Sequence, residues 1–254
     1  MMLLGTPEIS DAATITGSQS VGDMTIGNLQ KRSLQRLYRT TDLTPQINID
    51  LQSAQNITFI SLIAHNGGGT VTVRAGNTAE VSDYASDALN LITGADCGYD
   101  SNLFLLGLDQ TYRYWQLDID DSANTEGYFQ AGRLYMGQGF QPTINIDYGM
   151  ADGFIDNTKV TRTRSGEPVP TRRAPIKVQE FKLGFGSEDE MYGTLYDIDR
   201  LRGSAKDVLF VKDANATTHF QRQHIYGLMT ELQPIIHRSY SIFEKSYRIE
   251  EIPA

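Results

Sequence analysis

Apolar residues fall on alternate positions along much of this chain. Within 112–119, Trp115, Leu117 and Ile119 share one face while Tyr114, Gln116 and Asp118 share the other. That period of two predicts a strand with one face in a core. Residues 120–127 are turn chemistry throughout. Phe129 and Ala131 then continue in phase, and Leu134 and Met136 follow one residue out of phase. Gly132 sits at the slip, where a bulge would return both pairs to the core face. The two segments are read as a hairpin closing a β domain around the chain's one tryptophan. Ile47, Ile49 and Leu51 also alternate, and Ile57-Thr58-Phe59-Ile60-Ser61-Leu62-Ile63 is apolar on both faces, which predicts a central strand. Gly67-Gly68-Gly69 turns into a strand at 70–74, and residues 75–100 read as loop.

Beyond residue 139 the character changes. Ile144 and Ile146 open new strand-like text. Residues 159–177 hold Pro168, Pro170 and Pro175, and three prolines predict an irregular excursion. Phe181, Leu183 and Phe185 alternate as a strand. Ser187 and Glu190 form a capping box, followed by Met191, Leu195 and Ile198 at helical spacing, Arg200 and Arg202 in the last turn, and Gly203 as stop. Strands at 208–211, 222–228 and 246–252 complete the region. The expected fold is mainly β: an N-terminal arm or added strand (1–24), a jelly-roll sandwich (25–139), and a β-barrel-like domain (140–254) carrying one α-helix, 187–203. Residues 28–41 fit a short helix or an extended basic segment equally well.

The 254 residues suffice for either one large core or two modest ones. Net charge is −9, and residues 1–139 carry 15 acidic against 7 basic groups. That imbalance argues against a broad nucleic-acid or anionic-membrane surface there. Cys97 is the single cysteine, which excludes an internal disulfide. No apolar run reaches the ~20 residues of a membrane span, and Met1–Leu4 is too short for a leader, so a soluble protein made in the cytosol is expected.

Candidate chemistry is sparse. His65-Asn66-Gly67-Gly68-Gly69 lacks the Lys-Ser/Thr ending of a phosphate loop. Asp118, Asp120, Asp121 and Asn124 lack calcium-loop spacing, and His219, His224 and His237 lack zinc spacing. Glu188, Asp189 and Glu190 belong to the helix start. No catalytic residue, cofactor or metal is expected. The strongest local charge is Arg162, Arg164, Arg172 and Arg173 with Lys159 and Lys177; a solvated loop is the default reading and a contact with an acidic neighbouring subunit the functional one, while no aromatic interleaves the arginines, which disfavours nucleic acid.

Gln46-Ile47-Asn48-Ile49-Asp50-Leu51, the 57–66 string, Tyr114-Trp115-Gln116-Leu117-Asp118-Ile119 and Gly132-Arg133-Leu134-Tyr135-Met136-Gly137 resemble the discoidin or galactose-binding jelly roll. The strand leading into the Ser-Glu-Asp-Glu helix start, with Tyr247-Arg248-Ile249-Glu250-Glu251-Ile252 at the end, resembles the tail-tube and distal-tail β-barrel of long-tailed, non-contractile bacteriophages. The resemblance implies a structural, non-enzymatic subunit of a virion tail tip. It implies synthesis in the host cytoplasm and a homo-oligomeric ring of six copies, with three as the alternative, contacting other tail proteins. The alternative function is a carbohydrate-binding module for host-surface glycans, with Tyr84, Tyr99 and Tyr128 as candidate sugar contacts.

Overall fold

Alternation becomes a strand wherever one face finds a core. In the computed structural model, which describes residues 1–6, 8–91 and 101–253, Trp115, Leu117 and Ile119 are buried as the pattern requires. Cys97 and Tyr99 lie outside the described residues. In chain order the early elements are β1 (Leu3–Gly5), α1 (Glu8–Ala12), β2 (Thr14–Gly17), β3 (Tyr38–Thr40), β4 (Gln46–Ile63) and β5 (Thr70–Gly76). They continue with β6 (Tyr84–Ala85), β7 (Leu89–Asn90), β8 (Ser101–Asp120), β9 (Phe129–Ala131) and β10 (Arg133–Gly137). The chain forms two units: an N-terminal unit of residues 5–139, and a C-terminal unit joining residues 1–4 to 140–253.

The N-terminal unit is a sandwich. Its main sheet runs β10-β4-β8-β5-β6, with β2 added to β4 and β7 to β5, while β3 and β9 make a separate two-stranded sheet. Ile47, Ile49, Val71, Val73, Trp115 and Leu117 of the main sheet share one core with Tyr38, Phe129 and Ala131 of the small one. Each fully buried side chain of this size contributes roughly 1.5–3 kcal/mol of transfer free energy. Two expectations change here. The segment 112–119 does not form a hairpin with 129–136: β8 pairs with β4 and β5, β9 with β3, and β10 with β4. The phase slip at Gly132 is the point where the chain leaves one sheet for the other. Its N–H donates to Ile63 C=O at 2.9 Å, and a Cβ there would press on Ala64 and the Leu34 carbonyl. The apparent strands around 47–51 and 57–63 are one strand, β4. Its register against β8 shifts between Asp50 and Gln55, with Gln52 at φ 63°. That bulge re-phases the chain without breaking the sheet.

Residues 1–24 divide at residue 5. β1 lies beside a strand of the C-terminal sheet, whereas β2 pairs with β4. The helix α1 is tied to β10 through Arg133, whose guanidinium donates to Asp11 at 2.7 and 3.1 Å.

The C-terminal unit contains β11 (Ala151–Ile155), β12 (Lys159–Arg162), β13 (Pro168–Thr171), β14 (Ile176–Gly186), β15 (Asp207–Val211), β16 (His224–Leu232), β17 (Ile236–Ser239) and β18 (Ile242–Glu251). A seven-stranded half-barrel sheet runs β1-β15-β16-β18-β14-β11, with β17 on β18. Phe181 stacks on Phe210 at 4.2 Å between ring centroids, within a core that also holds Leu4, Met191, Leu195 and Ile249. The capping box forms as spaced: Ser187 N–H donates to Glu190 Oε2 at 2.9 Å and Glu190 N–H to Ser187 Oγ at 3.3 Å. The helix opens with a π-helical stretch, Asp189–Leu195, and continues as α2 (Tyr196–Arg202). Lys245, buried beneath it, donates to Asp199, while burial pushes its pKa down to about 8. Among the described residues no helix is long and apolar enough to cross a membrane.

The proline-rich excursion is regular after all. β12 and β13 pair antiparallel, Val160 against Pro170 and Arg162 against Pro168. Thr163 N–H donates to Glu167 C=O at 2.9 Å. Ladder bonds alternate from there, so Pro168 and Pro170 fall at pairs whose N–H would point outward and no ladder bond is lost.

Candidate functional site

Two loops that looked unrelated in the sequence meet at one end of the sandwich. Asp121 is buried, and its Oδ1 accepts from Gly68 N–H at 3.0 Å and Gly69 N–H at 2.9 Å. Its Oδ2 accepts from Asn124 at 2.7 Å. The 65–69 loop therefore does not cradle an external anion, because its donors already serve an internal carboxylate. Only glycine fits at 69, where a Cβ would stand 1.9 Å from the Asp120 carbonyl oxygen. Of the candidate calcium residues, Asp118 Oδ2 accepts from Arg74 at 2.6 Å and Asp120 Oδ1 from Ser122 N–H at 3.3 Å. Among the described residues no group of three His, Cys, Asp or Glu side chains could hold a metal. His219 precedes a 3-10 turn, His224 opens β16 and His237 stacks on Phe243.

On this frame sits a small polar and aromatic surface. Asn66 is its hub: Nδ2 donates to Glu126 Oε2 at 2.9 Å and to Tyr128 C=O at 3.0 Å, and Oδ1 accepts from Gln130 N–H at 2.8 Å. Glu126 N–H in turn donates to Asn124 Oδ1 at 2.9 Å. The pairing of β3 with β9 sets Arg39 opposite Gln130, and Arg39 Nη2 donates to Gln130 Oε1 at 2.6 Å. Its guanidinium lies 4.0 Å from the centroid of the half-buried Tyr128 ring. Hydrogen bonds from Asn66 and then Tyr128 hold the exposed Glu126 carboxyl below its usual range, and Arg39 adds to this. The bond to Glu126 raises the Tyr128 phenol. The result is a guanidinium, a carboxylate, two carboxamides and a phenol around one ring, in fixed orientations.

Of the two candidate tyrosines among the described residues, Tyr128 stands here and Tyr84 does not. Tyr84 stacks on Tyr112, which meets Trp115 edge-on, so it extends a core aromatic row. It pairs with Ala75, at the opposite end of β5 from Thr70 and its partner Asp120, roughly 17 Å along the strand. Tyr99 lies outside the described residues. Arg162, Arg164, Arg172 and Arg173 are exposed on and beside the β12–β13 hairpin, in the other unit. Arg39, Asn66, Glu126 and Gln130 were missed from sequence. Asn66 lay in the stretch weighed as a phosphate loop and Glu126 in one read as turn, and Arg39 reaches the site only through a pairing across 91 residues.

No family model matches this chain, and no curated protein matches it. Solved structures similar to it include carbohydrate-binding and lectin modules. The family 32 carbohydrate-binding module of NanJ from C. perfringens, in complex with galactose, aligns at TM-score 0.43 and 10% identity over 54% of this chain and 98% of that one. The lectin domain of lectinolysin, complexed with Lewis B antigen, gives 0.43 and 10% over 53% and 98%. The family 32 module of EndoD from Streptococcus pneumoniae gives 0.41 and 13% over 51% and 98%.

Proposed function

We propose that the N-terminal unit binds carbohydrate through the Tyr128 surface, without catalysis. The observation that carries this is the half-buried Tyr128 ring fixed beside Arg39 and Glu126 in a net centred on Asn66. A sugar presents C–H groups to an aromatic ring and hydroxyls that each donate and accept. Arg39 supplies donors, Glu126 acceptors and Gln130 its amide group, while Asn66, whose amide hydrogens are taken by Glu126 and the Tyr128 carbonyl, holds them in place. Because these side chains already hold one another, little rotamer entropy remains to be lost on binding.

The test is a glycan array on the full chain, with galactose and the Lewis B antigen, the ligands named for the similar modules, titrated first. Tyr128→Ala should abolish binding and Tyr84→Ala should leave it intact. Retained affinity in Tyr128→Ala overturns the assignment.

The second reading is a ring-forming structural subunit of a phage tail tip, six- or three-fold, carried in the virion. It draws on the sequence resemblance, and the fully exposed hairpin β12–β13 favours a role in assembly.

A further inference from the structure

Every residue of β12 and β13 is exposed, including Val160 at 57% and Val169 at 46%. A two-stranded ribbon bare on both faces is only marginally stable in water, so this one gains most by packing against something. Its pairing puts Val160, Arg162, Pro168 and Pro170 on one face and Lys159, Thr161, Val169 and Thr171 on the other. The outward edge of β13 presents prolines where N–H groups would stand, which blocks addition of a further strand there. On that side a partner is held by side chains. Those side chains are cationic: residues 159–173 contain Lys159, Arg162, Arg164, Arg172 and Arg173 against a single acid, Glu167.

The complementary surface is on the same chain. Residues 1–139 carry 15 acidic groups against 7 basic. Glu80, Asp83 and Asp87 are exposed within eight residues of one another, and no basic residue occurs between Arg74 and Arg113. We propose that the β12–β13 hairpin is an assembly arm that docks on the acidic 80–87 segment of a second copy of the chain. The contact is heterologous, one patch meeting a different patch, so it propagates into a ring or an open chain of copies. The inference goes beyond glycan binding, and it deepens the tail-tip reading by naming which surfaces meet.

Sedimentation of the full chain tests it at about 50 and about 500 mM NaCl, between which the screening length falls from roughly 14 to 4 Å. Wild type should form larger species at low salt and return to the 28.3 kDa monomer at high salt. Changing Arg162, Arg164, Arg172 and Arg173 together to Glu, or Glu80 and Asp87 together to Lys, should give a monomer at both, with melting unchanged; Asp83 is left in place because its carboxylate accepts from Asn77 N–H at 2.9 Å. Mixing the two variants should restore association. A wild type that stays monomeric at low salt overturns the proposal. Association that survives the arginine changes overturns the arm while leaving ring assembly standing. Binding of a DNA duplex without self-association assigns the arm to nucleic acid instead and also overturns it. Glycan titration of each variant separates these outcomes from failure of the sugar site.

Discussion

The pair Asp11–Arg133 makes an unintuitive prediction. The Arg133 side chain is 1% exposed, while Asp11 is 38% exposed. Surface substitutions are usually the mild ones, yet here the exposed partner should matter more. Arg133→Met removes a buried charge, keeps the apolar stem packed, and leaves Asp11 a carboxylate that water can reach; the cost should be about 1 kcal/mol. Asp11→Ala takes from a buried guanidinium its two hydrogen bonds to the Asp11 carboxylate, at 2.7 and 3.1 Å, while the Leu29 carbonyl at 3.5 Å and the Tyr135 ring at 5.5 Å stay in place. Breaking a buried pair in this way costs about 3–5 kcal/mol, or roughly 10–20 °C in melting temperature for a unit of this size. The double variant should resemble Arg133→Met alone, a coupling of about 3–5 kcal/mol. Urea unfolding followed by emission of Trp115, 1% exposed and the chain's only tryptophan, reports on this unit selectively. If Arg133→Met costs as much as Asp11→Ala, the buried charge is not what the pair exists to neutralise.

Burial, with Lys177 adding repulsion, lowers the His224 pKa to about 3, so the fold holds the neutral ring while the unfolded chain takes a proton below about 6.5. Stability of the C-terminal unit should therefore fall with pH from about 6.5 towards 3, by up to ~1.4 kcal/mol per unit. The Glu251 carboxyl, raised by burial above the usual 4.5, takes up its proton earlier in the fold and offsets part of this slope above about 4.5, with no contribution to the slope below it. Far-UV ellipticity should show the slope and His224→Gln should flatten it; an unchanged slope would assign it elsewhere. Ser187→Ala should cost about 1 kcal/mol through the lost cap, and Leu195→Asp should unfold the C-terminal unit by burying a charge. Parental melting of Leu195→Asp, measured calorimetrically, would contradict the packing of that helix.

Strand faces were legible where a local period decided them. Ile47 and Ile49, Trp115 and Leu117, and the Ser187–Glu190 box all occupy the environments their spacing predicts. Partnership was not legible. The 129–136 segment follows 112–119 after a turn, which invites a hairpin, yet its apolar phase slip at Gly132 reflects a change of sheet rather than a bulge. Prolines at 168 and 170 read as breakers, because their common parity matters only once the ladder phase is known. The site suffered most. Arg39, Asn66 and Gln130 are ordinary residues until β3 meets β9 and Asp121 locks the 65–69 loop, and no local pattern announces pairings across 60 to 90 residues.

The most direct test of glycan recognition is amide and side-chain NMR of the full chain titrated with the best array ligand. The Asn66 and Gln130 carboxamide signals and the Arg39 Nε–H should shift and saturate together, with backbone changes confined to residues near 39, 66–69 and 124–130. Saturating shifts at Tyr84 or in the C-terminal unit, with these signals unmoved, would contradict it.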